Sequence, residues 1–136
     1  VRAEEYLKQI RKIDSIIGDK SREYKRWVEI AKGLGGGFSV GDRVQTTRNL
    51  QKGSDAVIEY ISIEREIKEL ERKRKGIIDT IQQLPYNEYK VLYGIYVDGY
   101  MQKELPSQFD KSYEWVKKKK RDALKLLQDI LDEKRG

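Results

Sequence analysis

Between residues 112 and 125 the chain reads SYEWVKKKKRDALK, which places cations at Lys117, Lys118, Lys119, Lys120, Arg121 and Lys125. Lys and Arg neutralise phosphates, and each phosphate neutralised steepens the salt dependence of binding by close to one unit. Lys also donates to guanine acceptors in the major groove, and a carboxylate such as Glu114 accepts from a cytosine amino group. Other chemistry has little to work with. The chain holds no His and no Cys, which excludes a zinc finger, a disulfide framework and a His- or Cys-based catalytic centre. Its Ser residues lack a partnered base, and its carboxylates are spaced like helix-surface charges rather than as a convergent pair. No Asp-rich loop carries cation-ligand spacing. The expectation is a protein without catalytic residues, metal or cofactor.

Ser112 is placed to cap a helix, and Glu114 in the first turn suits the positive end of its dipole. Helical periodicity turns Val116, Ala123, Leu124, Leu127 and the alkyl stem of Lys120 inward, and Lys117, Lys118 and Arg121 outward. Upstream, Asn87 is suited to cap a helix over Glu88 to Val97 that Asp98-Gly99 stops, with Gly99 fit for a left-handed position. A short helix around Gln102 to Phe109 puts Leu105 and Phe109 on one face, and Asp110-Lys111 makes a tight turn. This order is that of a helix-turn-helix, whose last helix meets base edges with its N-terminal residues. Tyr113, Glu114, Lys117 and Lys118 fall there as candidate base readers, and Lys119, Arg121 and Lys125 as phosphate contacts. A solvated charge run is the plainer alternative, and the capped turn after a matching short helix weighs against it. Trp115 has two open roles, contact with DNA or burial against the domain. Pro106 is tolerated in a first helical turn but costs about 3 kcal/mol in a helix interior, so the short helix either starts late or kinks.

The elements before this module are long. Ala3, Ile10, Ile17, Tyr24 and Ala31 form one row of a heptad and Tyr6, Ile13, Lys20 and Trp27 the other, with Lys20 alone breaking the stripe. Gly33, Gly35, Gly36, Gly37, Gly41 and Gly53 then crowd a connection over residues 33–53, in which Arg43 and Arg48 are open either to a flexible link or to a recognition loop. Ser54 or Asp55 is suited to cap a second helix with rows Tyr60, Ile67, Arg74, Ile81 and Ile63, Leu70, Ile77, Leu84, ended by Pro85. Tyr6, Tyr24, Tyr60 and Tyr96 sit on packing stripes. The predicted fold class is all-α. Residues 1–84 form a long antiparallel coiled-coil hairpin for dimerisation or partner binding, and residues 86–136 a helix-turn-helix DNA-binding domain. Two helices bury little core, so the hairpin is expected to pack on the C-terminal domain or on a second hairpin.

Residues 88–127, with Tyr96, Asp98-Gly99, Glu104-Leu105, Phe109, Ser112, Val116 and Ala123-Leu124 in ungapped order, resemble region 4 of bacterial sigma factors. With the N-terminal YLKQIRKID and the central GDRVQ, nearly the whole chain resembles the ArpU-like and RinA-like late-gene transcription activators of phages of Gram-positive bacteria. The resemblance implies a phage or prophage transcription regulator, an activator in role, reading DNA through Tyr113, Glu114, Lys117 and Lys118. The expected partner is double-stranded DNA, and the hairpin with its two apolar stripes is open to RNA polymerase or to a second copy of the chain. A small-terminase-like packaging adaptor and a polymerase- or sigma-binding module are the alternatives. No apolar run approaches the roughly 18 residues that span a bilayer and no secretory signal is visible, so the expected location is the cytoplasm of a bacterial host; the net charge of +6 favours a polyanionic partner.

Overall fold

The computed structural model describes residues 2–36 and 47–135, and it is all-helical, with no strand among the described residues. Helix α1 spans Ala3–Gly36 and α2 spans Thr47–Ile81. Helix α3, Tyr86–Leu92, runs directly into a π-helical turn over Tyr93–Val97. A 3-10 turn over Gln102–Glu104 leads into α4, Leu105–Phe109, and α5 occupies Tyr113–Arg135. No helix among the described residues is long and apolar enough to cross a membrane.

Both long helices extend further than their glycines suggest. α1 continues through Gly33, Gly35 and Gly36, and α2 is already helical at Thr47, so Gly53, Ser54 and Asp55 lie inside it and neither Ser54 nor Asp55 caps it. An interior glycine costs about 1 kcal/mol relative to alanine, which a helix of this length absorbs. Arg43 and the side chain of Arg48, the two cations considered for a recognition loop, lie outside the described residues.

The chain forms two compact units, which divide elsewhere than at Pro85. Unit 1 comprises residues 1–14 and 72–136, and unit 2 residues 15–71. Unit 1 joins the first turns of α1 and the last turns of α2 to everything that follows. Leu7, Ile10, Ile81, Leu92, Leu105, Val116 and Leu127 are its fully buried side chains of larger size, together with Val91. The Ala3 backbone N–H donates to Gln128 Oε1 at 2.8 Å, and the Tyr6 hydroxyl meets Thr80 Oγ1 at 3.1 Å. Asp14 accepts from Arg74 at 2.7 Å. In unit 2, Lys20 pairs with Glu66, and Tyr24 meets Tyr60 edge-on with centroids 5.7 Å apart. Partner numbers rise on α1 as they fall on α2, so the two helices run antiparallel where they touch. Lys20 and Arg74, the polar members of otherwise apolar rows, each find a carboxylate on the facing helix.

Tyr96, 7% exposed, donates to Glu4 at 3.4 Å. Burial, then the charge of Glu4 and this hydrogen bond, push its pKa up from 10.0 to about 12. The contribution is intact below pH 10 and is lost as pH rises toward about 12, because only the unfolded chain releases this proton in that window. Titration followed by tyrosinate absorbance should show a lagging step near pH 12. Tyr96→Phe should remove the lagging step, and a lag that survives this substitution would assign it elsewhere.

Candidate nucleic-acid interface

The surface of interest is built by α4, the turn after it and α5. The turn carrying α3 toward α4 begins at the π segment, where Asp98 N–H donates to Tyr93 O at 3.0 Å. That wider turn brings Gly94 so near α4 that a Cβ there would lie 3.1 Å from Leu105 Cδ2. Gly99 follows at φ 81°, the left-handed conformation its sequence position suggests, and its carbonyl accepts from the Arg11 guanidinium at 3.3 Å. Asn87 does not cap α3. Pro85, at φ −54° and ψ 153°, precedes the helix instead, because its fixed φ and missing N–H suit that position.

Pro106 stands in the first turn of α4, so this helix starts late rather than kinking, with the 3-10 turn taking up the residues before it. Asp110 then adopts a left-handed conformation at φ 54°, and the N–H groups of Asp110 and Lys111 both donate to Pro106 O. Ser112 Oγ accepts from Trp115 N–H at 3.1 Å, the cap expected from the sequence. Val91, Leu105 and Val116 form the core where α3, α4 and α5 meet, with Ile95, Phe109 and Trp115 packed against it. Trp115 is therefore half-buried, its ring 5.7 Å from Phe109, with Lys111 and Lys119 over it at 5.8 and 5.9 Å.

Val116, Ala123 and Leu127 are fully buried along α5. At roughly 100° per residue, Tyr113, Lys117, Arg121, Glu114, Lys125 and Lys118 occupy one continuous arc of roughly 140° on the other side. All six are exposed. Lys117 lies 4.0 Å from Glu114 and 5.6 Å over the Tyr113 ring, so the start of the arc is braced along the helix. The arc carries four cations and one carboxylate, a net positive strip on a rigid element.

Lys119 does not belong to it. Its ammonium donates to Glu88 Oε1 at 3.0 Å, and Glu88 is 8% exposed on α3. The spacing carried the signal: Lys119 is three residues after Val116 and four before Ala123, on the inner row. Glu88, absent from the sequence-based candidates, thus adds an ion pair between α3 and α5. Lys119→Met should leave the salt slope of nucleic-acid binding unchanged while lowering stability by about 1–3 kcal/mol, because a buried carboxylate loses its partner. A slope reduced by one unit at unchanged stability would instead put Lys119 on a phosphate. Lys120 is half-buried and reaches Gln102 Oε1 at 3.4 Å, in keeping with an inward stem.

One concavity adjoins α4. Gly94, Leu105, Phe109, Lys90, Asp98 and Gln108 are among the residues that line it. At about 170 Å³ it falls below the roughly 300 Å³ at which small-molecule pockets begin. The exposed cationic arc, not this cleft, is the feature with recognisable binding chemistry. Comparison of the chain with protein-family models, with curated proteins and with solved structures returns no match.

Proposed function

We propose that this protein is a sequence-specific double-stranded DNA-binding regulator of transcription, of the phage or prophage kind its sequence resembles. In this reading α4, the Asp110–Ser112 turn and α5 form a helix-turn-helix of the sigma region 4 type. The paired α1 and α2 form an antiparallel coiled-coil hairpin that recruits polymerase or a second copy. The single observation behind the reading is the arc of Tyr113, Glu114, Lys117, Lys118, Arg121 and Lys125, exposed at the capped start of a helix whose other side is buried. Glu114, Lys117, Lys118 and Tyr113 lie in the first two turns, where a recognition helix meets base edges. Arg121 and Lys125 lie further along, suited to phosphates.

Selection of bound fragments from phage and host genomic DNA at physiological salt tests this reading. A regulator enriches a few related promoter-proximal sites by at least about a thousandfold over bulk DNA. Uniform weak enrichment that vanishes with salt would reduce the arc to nonspecific attraction. Assembly of the chain into a large closed ring would move the reading to the packaging adaptor.

A further inference from the structure

We propose that Lys111, on the turn before α5, is a further contact to the DNA phosphates, held ready by the ring of Trp115. The proposal rests on the reading of α5 as a DNA-recognition helix and adds to it a residue from outside that helix. Lys111 is exposed, and its backbone is fixed on both sides. Its N–H donates to Pro106 O at 3.1 Å, Asp110 before it holds the left-handed conformation, and Ser112 after it caps α5. From this anchored turn its ammonium reaches 5.8 Å from the centroid of the Trp115 ring, which is itself packed on Phe109. The face of an indole attracts a cation. A lysine stem held against a half-buried ring also gives up rotamer freedom before any ligand arrives.

Two cations share that ring, and their surroundings differ. Lys119 is half-buried and its charge is answered by Glu88 at 3.0 Å. Lys111 has no carboxylate partner among the described residues, so its charge stays available to a phosphate. It gains nothing from α5 itself, because a positive charge beside a helix N-terminus opposes the dipole. Its place also suits the groove. At roughly 100° per residue, Trp115 lies about 60° beyond Lys118, the last member of the exposed arc, on the flank away from Lys117 and Arg121. A helix with its side chains is about 10–12 Å across and the major groove about 12 Å wide, so a seated helix runs close to a backbone on either side. Toward one side the arc presents Lys117 and Arg121. Beyond Lys118 on the other side stand the two cations over Trp115, and of these only Lys111 is unengaged.

The test is titration of the full chain against a duplex carrying a selected site and a scrambled duplex at several salt concentrations, beside denaturant unfolding. Lys111→Gln removes the charge and keeps the reach. It should make the log–log salt slope shallower by about one unit and lower affinity at physiological salt by about fivefold. The loss should fall on both duplexes alike, since a phosphate contact carries no sequence information. The unfolding midpoint should stay close to that of the wild type. Lys111→Arg should retain both slope and affinity, and Lys119→Met, which alters the other cation on the same ring, should leave the slope unchanged. Trp115→Leu should lower affinity severalfold in the wild-type chain and by less in the Lys111→Gln background, because the ring acts through Lys111. A slope that Lys111→Gln leaves unchanged while the wild type binds DNA overturns this proposal alone. So does a loss confined to the selected duplex. Equal losses from Trp115→Leu in both backgrounds overturn the part given to the ring. A wild-type chain with no salt-sensitive DNA binding overturns the reading of α5 and this proposal together.

Discussion

Alanine at Lys117, Lys118, Arg121 and Lys125 together should cut DNA affinity at physiological salt by on the order of a thousandfold. It should also flatten the log–log salt dependence by about 3 to 4 units, near one for each cation that no longer displaces a counterion. The fold should survive, because all four side chains are exposed and alanine is the strongest helix former. Splitting the four into pairs separates their roles. Lys117 and Lys118 sit near the capped start of α5, so their loss should relax sequence preference as well as affinity. Arg121 and Lys125 lie along the helix, so their loss should weaken all sequences alike and take most of the change in slope. Titration of labelled duplexes at several salt concentrations, for a selected site and a scrambled one, reads both quantities. An unchanged slope in the fourfold variant would remove the arc from the interface.

Leu105→Ala should destabilise unit 1 by about 3 kcal/mol, within the usual 2–5 for a buried leucine. Leu105 is 1% exposed and packs with Val91 and Val116, both fully buried, at the point where α3, α4 and α5 converge. Little can collapse into the space, since Gly94 approaches with backbone and offers no side chain. Gly94→Ala alone should cost roughly 1–3 kcal/mol by crowding the same leucine. In the Leu105→Ala background it should cost less, because the Cδ2 it crowds is gone and the new methyl partly refills the cavity. That non-additivity, on the order of 1 kcal/mol, marks a direct contact. Denaturant unfolding of the four chains of the cycle measures it. Strict additivity would mean that Gly94 and Leu105 do not meet in solution.

The sequence was most legible where one residue type has one mechanical reason to be present. Ser112 caps α5, Gly99 takes a positive φ, and Val116, Ala123 and Leu127 are buried. Each follows from local rules of caps, turns and helical period. Of the heptad rows, Tyr24 and Tyr60 meet edge-on, and the Lys20 that broke a row pairs with Glu66, which lies on no row. Reasons that need two distant segments at once were hidden. Glu88 looked like one surface acid among many until α5 laid Lys119 against it. Leu7 stands just off both expected rows and is nonetheless fully buried, because unit 1 covers a wider side of α1 than a single partner helix would. The π turn at Tyr93–Val97 has no compositional mark, and the glycines of α1 misled because propensity is weak beside the length of the helix.

Unit 1 is assembled from both ends of the chain, with Ala3 held by Gln128 across a separation of 125 residues. This imposes an order of events during synthesis. The residues of unit 2 form one uninterrupted stretch, and their local contacts can close while translation continues. The segment at Ala3 must wait for Gln128 to leave the ribosome before this contact can close. Contacts of such long range slow folding and prolong the exposure of sticky intermediates. Residues 1–14 are thus the last piece of the module that carries α5, although they are made before the rest of it. Truncating them should leave a protein that retains most of its helices, aggregates during expression, and holds its cationic helix on an incomplete base.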